Sequence, residues 1–309
     1  MITVLMAVYN GEKYLREQLD SILAQDSREL VAVVSDDGSA DGSRDIIREY
    51  AKKEPNRIFP IFRERPSGSP EAHFLDLIAQ GEGEYVMLSD QDDVWLPGKV
   101  SRLMKKMRSM EHRYGKETPI LVHSDMKVTD EKLHVIAESY FRYQKISPER
   151  NKLCQLLVQN NVTGGAVMMN RALLSLLRKK PQVCLMHDSW IALVAACFGK
   201  IGWVDEPLYL YRQHGANSLG AKAADTVQEA ADRLRDGSRA RENYRRMFGQ
   251  AACLLKMYQD QLSREQIRTL KAFIRLPQQG RIPKICSMIK YGFTKNSVKR
   301  TIGQMLFMP

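Results

Sequence analysis

Five consecutive polar residues, Ser89-Asp90-Gln91-Asp92-Asp93, follow the apolar run Tyr85-Val86-Met87-Leu88. Carboxylates crowded this closely repel one another, and a bound cation offsets that cost. Hard Mg2+ or Mn2+ prefers such oxygens, shared with substrate phosphates. The run therefore points to a divalent metal that handles a diphosphate. The same residues also suit an acidic loop or a helix cap ahead of Pro97.

Three other clusters carry chemistry. Ser35-Asp36-Asp37-Gly38-Ser39 ends the apolar run Leu30–Val34, and a carboxylate there can accept hydrogen bonds from a nucleobase N–H or a ribose hydroxyl; alone, it is equally a turn with a cap. His187-Asp188-Ser189-Trp190 opens an apolar helical stretch. Asp188 there is either an ordinary cap or a general base for a hydroxyl. In Tyr211-Arg212-Gln213-His214, Arg212 suits phosphate oxygens and His214 suits Mn2+-type ions. His73, His112, His123 and His134 have no comparable setting.

These clusters need elements to hold them. Ile2–Val8, Leu30–Ser35, Ile58–Phe62 and Tyr85–Ser89 read as strands, alternating with helical patterns near Glu12–Gln25, Asp41–Lys53 and Glu71–Gln80. This is the βαβ rhythm of a parallel sheet, whose strand ends would bring Asp37, Asp90 and the Tyr9-Asn10-Gly11 loop to one crevice. Further strands are expected at Ile120–His123, Val162–Met169 and Leu208–Tyr211, with helices at Asn170–Lys179 and Ser189–Phe198. The expected organisation is a catalytic domain over 1–220 and a helical, basic region over 221–309.

The 309 residues carry a net charge of +11. The excess lies in the C-terminal region, because residues 1–220 hold 29 basic and 29 acidic side chains whereas 221–309 hold 18 and 7. No Asp or Glu follows Glu265, while Arg268, Lys271, Arg275, Arg281, Lys284, Lys290, Lys295, Lys299 and Arg300 do. Few aromatics are interleaved with them, which disfavours nucleic acid as a partner. Ile285, Met288, Ile289 and Phe293 recur at helical spacing, as do Val298, Ile302, Met305 and Leu306. Residues 266–309 are thus expected either to touch an anionic membrane or to pack inward.

Five scattered cysteines without a Cys-x-x-Cys pair suit a reducing cytosol. The N-terminus lacks a basic n-region and reads as a first strand, and no apolar stretch reaches bilayer length. The expected location is cytoplasmic, with peripheral contact on the inner face of the cell membrane. A dehydrogenase would need Gly-x-Gly-x-x-Gly where the first strand meets Tyr9-Asn10-Gly11-Glu12-Lys13, and a sugar nucleotidyltransferase would need its glycine-rich phosphate loop.

Taken in order, Ala7-Val8-Tyr9-Asn10-Gly11, Ser35-Asp36-Asp37-Gly38-Ser39 with Asp41, Ser89-Asp90-Gln91-Asp92-Asp93-Val94-Trp95, His187-Asp188-Ser189-Trp190 and Tyr211-Arg212-Gln213-His214 resemble family 2 glycosyltransferases. Gln91, Val94-Trp95 and His187 look most like the rhamnosyltransferases of bacterial surface-polysaccharide assembly. The resemblance implies a GT-A fold, an α/β mixed sheet flanked by helices, and an inverting displacement on a nucleotide-sugar donor. It implies that Ala7, Tyr9, Asn10, Asp36 and Asp37 line the nucleotide pocket, with Asp90, Gln91 and Arg212 on the donor. Asp92 and His214 would hold Mn2+ or Mg2+, with Asp90 a further candidate ligand, and Asp188 would be the base. The implied reaction moves L-rhamnose from dTDP-L-rhamnose to a glycan or lipid-linked acceptor. A UDP-hexose donor is the alternative within this chemistry, and a non-catalytic nucleotide-sugar or anionic-surface binding protein the alternative outside it.

Overall fold

The computed structural model describes residues 1–27, 29–215 and 237–308. The chain divides into two compact units that interleave in sequence: residues 1–140, 163–180 and 199–221 form the first, and 141–162, 181–198 and 222–309 the second. Residues 221–236, where the basic region was expected to begin, lie outside the described residues.

The first unit is built on one sheet. Strands β1 (Ile2–Val8), β2 (Leu30–Asp36), β3 (Ile58–Phe62) and β4 (Tyr85–Ser89) alternate with helices α1 (Leu15–Leu23), α2 (Ser43–Lys53) and α3 (Pro70–Gln80). β1, β2 and β4 are apolar on both faces because helices cover both sides of a parallel sheet. The chain then forms β5 (Val94–Trp95), α4 (Lys99–Tyr114), β6 (Ile120–Thr129), β7 (Val135–Ala137), β8 (Val167–Asn170), α5 (Arg171–Leu177) and β9 (Lys200–Arg212). Strand order is β3-β2-β1-β4-β8-β6-β9-β5, with β7 paired to β6. β1 runs parallel to β2 and β4, whereas β8 is antiparallel to both β4 and β6, so the sheet is mixed.

β6 and β9 run well past the apolar segments that announced them. Their pairing is bulged beside Ser124–Asp125 and Asp125–Lys127, opposite a stretch of β9 that contains Pro207. A bulge accommodates a proline that cannot donate to the ladder. The Asp125 carboxylate, buried in this irregular stretch, accepts from the Ser139 hydroxyl.

The second unit is helical. Its principal helices are α6 (His187–Phe198), α7 (Gly237–Tyr258), α8 (Arg264–Ile274), α9 (Arg281–Tyr291) and α10 (Val298–Phe307). α6 is buried almost all round, and its Trp190 lies 6.4 Å from the Tyr258 ring. Phe273 joins the helices through ring contacts with Phe248 at 4.9 Å and Phe293 at 5.2 Å. Ser263 and Gln266 form a capping box that starts α8. Among the described residues no helix is long and apolar enough to cross a membrane.

Candidate functional site

From β1 the sheet grows through β2 to β3 in one direction, then continues with β4 on the opposite side of β1. The carboxyl ends of β1 and β4 therefore flank a topological switch point, the usual ligand crevice of such sheets. The loops that leave β1, β2 and β4 there are fastened to one another by side chains.

The loop after β1 begins with the exposed Tyr9 and with Asn10, whose φ of +49° is a conformation asparagine tolerates better than most residues. Asn10 N–H donates to Ser39 Oγ at 2.9 Å, and its Oδ1 accepts from Ala40 N–H at 2.9 Å. Gly11 N–H donates to Ser43 Oγ at 2.8 Å, and Glu12 N–H donates to Asp41 Oδ2 at 3.0 Å. Ala7 sits half-buried in β1 opposite Ser35.

The two carboxylates after β2 divide their work. Asp36 is fully buried, accepts from Arg44 Nε at 2.6 Å and closes the turn by accepting from Gly38 N–H at 3.1 Å. Asp37 accepts from the Ser67 amide at 2.8 Å and the Ser67 hydroxyl at 2.6 Å, and forms an ion pair with Arg63, its Oδ1 3.0 Å from Nε. Arg63 also meets Asp76 at 2.8 Å, and Lys180 pairs with Asp76 from the other side, so Asp37 belongs to a cluster of two carboxylates and two cations.

Gln91 bridges the β1 and β4 loops. Its Oε1 accepts from Tyr9 N–H at 2.7 Å and its Nε2 donates to Tyr9 C=O at 2.9 Å. Both ends of the amide are thus engaged with main chain. From below, α1 presents Gln18 and Ser21, three residues apart and so on one helical face, and Gln25 follows just beyond the helix end. Gln18 Nε2 donates to Ser89 Oγ at 2.7 Å and to Asp90 C=O at 3.1 Å. Ser21 Oγ accepts from Trp95 N–H at 3.0 Å, and Gln25 Nε2 donates to Leu96 C=O at 3.1 Å.

Arg212 and His214 reach the acidic loop from the end of β9. Only 3% of the Arg212 side chain is exposed. Its Nε donates to Asp92 C=O at 2.7 Å, its Nη1 to Glu131 C=O at 2.7 Å and its Nη2 to the Glu17 carboxylate. Its guanidinium also stacks over Tyr14 at 4.6 Å. The arginine read from sequence as a phosphate clamp thus also braces the acidic loop. His214 Nε2 lies 2.7 Å from Asp92 Oδ2, which brings the two expected metal ligands together.

Asp93 points inward. It is 1% exposed, accepts from Arg212 N–H at 3.2 Å and is pushed well above the ordinary carboxylate range by burial, then by repulsion from Asp92 and Asp90. Behind it lies the fully buried Lys99, 3.9 Å from the Trp95 ring centroid and 4.2 Å from that of Tyr209. Its ammonium donates to Gly165 C=O at 2.6 Å. Burial lowers Lys99 to about 7 against the opposing pull of Asp93 and Asp90. A methyl group on Gly165 would stand 3.2 Å from Asp93 Oδ2 and 3.5 Å from Asp90 Oδ2, so both carboxylates close over this glycine.

Among the described residues, no three His, Cys, Asp or Glu side chains converge as a complete metal cage. Asp92 and His214 offer an oxygen and a nitrogen side by side, a partial shell of the kind that substrate phosphates complete. The donor set fits a divalent cation that arrives with a diphosphate.

Asp188 belongs to the second unit, in the first turn of α6. Its Oδ1 accepts from Asn160 Nδ2 at 3.1 Å and from the Ser189 amide. A helix start stabilises its anionic form.

Sequence reasoning passed over Lys99 and Gln18, although each left a trace. Lys99 is in helical phase with Leu103, Met107 and Met110, on the buried stripe of α4. Gln18 likewise occupies a buried position between Leu15 and Ile22 in α1.

A mixed sheet whose parallel half ends in loops bonded to one another, with an acidic run after β4 and helices on both sides, is the GT-A fold. The chain belongs to glycosyltransferase family 2: the model of that family, Glycosyl transferase family 2, matches residues 3–177. An uncharacterized glycosyltransferase of Nostoc sp. is 30% identical over 239 residues, covering 74% of this chain and 70% of its own. A dTDP-rhamnosyl transferase of Shigella flexneri is 25% identical over 221 residues, covering 70% of this chain and 74% of its own. The crystal structure of S. aureus TarS 1–349 in complex with UDP-GlcNAc superposes with a TM-score of 0.56 at 18% identity, over 94% of this chain and 72% of that one. Of other curated relatives, at 28% identity, the chain spans 59% of the length.

Proposed function

We propose that this glycosyltransferase moves a sugar, with inversion, from a nucleoside diphosphate to a hydroxyl of a surface polysaccharide or lipid-linked glycan. The reading rests on one observation above all: the loops after β1, β2 and β4 are bonded into a single crevice floor, with Asp92 and His214 at its acidic end. Asp37 at the other end suits a base or ribose, flanked by Ala7, Tyr9 and Asn10. Asp90 serves the donor, and Gln91 acts on it through the Tyr9 main chain.

A Mn2+ or Mg2+ ion held by Asp92, His214 and the donor's phosphates would offset the charge that grows on the departing diphosphate. Arg212, locked behind Asp92, keeps the loop from recoiling when its carboxylates are brought together. Asp188 is the base that takes the proton of the acceptor hydroxyl, from its place in the first turn of α6. The donor most consistent with Gln91, Val94-Trp95 and the Shigella relative is dTDP-L-rhamnose, from which inversion of a β-linked donor gives an α-rhamnoside.

The test is a panel of nucleotide sugars with Mn2+, reading released nucleoside diphosphate with and without acceptor. dTDP-L-rhamnose is expected to give the highest release; preference for a UDP-hexose would overturn the donor, and release with no sugar would overturn the transferase reading. Asp92→Ala is expected to lose metal-dependent donor binding, whereas Asp188→Asn keeps donor binding and loses transfer. Near-wild-type transfer in both variants would remove both assignments.

A further inference from the structure

Helices α9 and α10 are apolar on the outside. On α9, Ile282 is 77% exposed and Ile289 is 65% exposed, while Lys284 is buried and donates to Met308 C=O at 3.3 Å. On α10, Val298 is 76% exposed and Ile302 is 51% exposed, while Arg300 and Gln304 are buried. This reverses the ordinary arrangement of a surface helix, in which the apolar stripe faces the core.

The stripe expected from sequence therefore splits. Met288 and Phe293 turn inward, with Phe293 in ring contact with Phe273, whereas Ile289 turns outward beside Ile282. Ile282 and Ile289 are seven residues apart, two turns along one face, with the half-buried Ile285 and the exposed Cys286 between them. On α10, Val298 and Ile302 are four apart and share a face in the same way; the side chain of Leu306 lies outside the described residues. Four of the large apolar residues exposed in the described parts of the chain thus sit on these two short helices.

The charge beside them is of one sign. Arg281, Lys290 and Lys299 are exposed among these apolar residues, and no Asp or Glu occurs after Glu265. Aliphatic side chains bracketed by lysine and arginine match an anionic bilayer, whose acyl boundary takes the isoleucines and whose headgroups take the cations. A nucleic acid would find no exposed aromatic platform among the described residues of these helices.

We infer that the outward faces of α9 and α10 form a docking surface for an anionic phospholipid membrane. None of its residues is assigned to donor, metal or base, so it stands or falls separately from the proposed reaction. It gives the enzyme a place beside acceptors that are themselves held in a lipid layer.

The experiment uses the full chain and sedimentation with phosphatidylcholine vesicles, with and without about one third phosphatidylserine. The intact protein is expected to bind the anionic vesicles at least tenfold more strongly than the neutral ones. The variant Ile282→Ser, Ile289→Ser, Val298→Ser, Ile302→Ser is expected to lose tenfold or more of that binding. Arg281→Gln, Lys290→Gln, Lys299→Gln is expected to erase the preference for phosphatidylserine. All seven side chains are exposed, so both variants should keep their circular dichroism spectra and their transfer to a water-soluble acceptor. Equal binding by the serine variant and the intact protein would overturn the inference. So would tight binding of single-stranded DNA lost in the same variants, or self-association lost in them without vesicle binding.

Discussion

Replacing Gln91 with alanine probes the joint between the two halves of the crevice. The wild-type amide exchanges two hydrogen bonds with the Tyr9 main chain, at 2.7 and 2.9 Å. Such bonds contribute about 0.5–1.5 kcal/mol each, and those beside solvent fall in the lower half of that range. Losing both should release about 1–2 kcal/mol of local order, roughly a 5- to 30-fold rise in the open population of the β1 loop. The Tyr9 groups can turn to water, so global stability should change little. Gly11 offers an independent route to the same state. A methyl group there would lie 2.5 Å from Gln91 Oε1 and 2.7 Å from its Cδ, so Gly11→Ala must push the Gln91 side chain out of its seat. Gln91→Ala, Gly11→Ala and the double variant should therefore show the same loss of amide-exchange protection at Tyr9, with no additivity. Protection in the middle of β1, at Val4 to Met6, should stay at the wild-type level. Donor KM should rise by a similar factor, with kcat less affected. Unchanged Tyr9 protection in Gln91→Ala, or additive losses in the double variant, would refute the coupling.

The remaining predictions concern stability. His123 and His187 are buried imidazoles, lowered by desolvation to about 4 and about 3 respectively. As pH falls below the unfolded value of about 6.5, the unfolded chain takes up protons that these sites refuse, so stability should drop between about pH 6.5 and pH 4, by about 3 kcal/mol for His123. Denaturant titrations across that window should show a slope reduced by about one proton in His123→Gln; an unaltered slope would exclude the site. Gly199 precedes β9, and a Cβ on it would come within 1.8 Å of Pro119 C=O, a main-chain atom that cannot swing away. Gly199→Ala should destabilise the first unit by at least about 1–3 kcal/mol in the same titration, and a wild-type midpoint would mean that the β6 and β9 entry is softer than it looks.

What could be read from sequence followed from how local each signal was. β1, β3 and β4 match the expected segments residue for residue, because each is a short apolar run bounded by turn residues. β6 was foreseen only as far as His123, since Ser124, Asp125 and Lys127 break the apolar pattern. Those polar groups are tolerated because Asp125 is bonded to Ser139 and Lys127 pairs with Glu138 at 2.7 Å. Asp92 and His214 were expected at one metal site through the family resemblance, and their contact spans 122 positions, too far for any local pattern to show. Lys99 stayed hidden because α4 is rich in lysine and arginine, and only its phase with Leu103 and Met107 separates it from the solvated ones. The commitments of Arg212 and Gln91 to main-chain carbonyls leave no sequence trace, since any residue can present a carbonyl.

The interleaving of the two units also governs how the protein can be made. The connection passes from one unit to the other near residues 140, 162, 180, 198 and 221, so neither unit is a bead on a string. α6 emerges from the ribosome with a nearly all-apolar surface, yet Tyr258, Gln250 and Gln266, which contact Trp190, Ser189 and the Cys197 carbonyl, are still to come. At about 5–20 residues per second, the wait from Phe198 to Phe273 lasts about 4–15 s. During that interval the nascent chain displays a greasy helix between two pieces of sheet. A chain cut at 220 would remain in that condition permanently, and chaperone dependence rather than lost catalysis would be its first symptom.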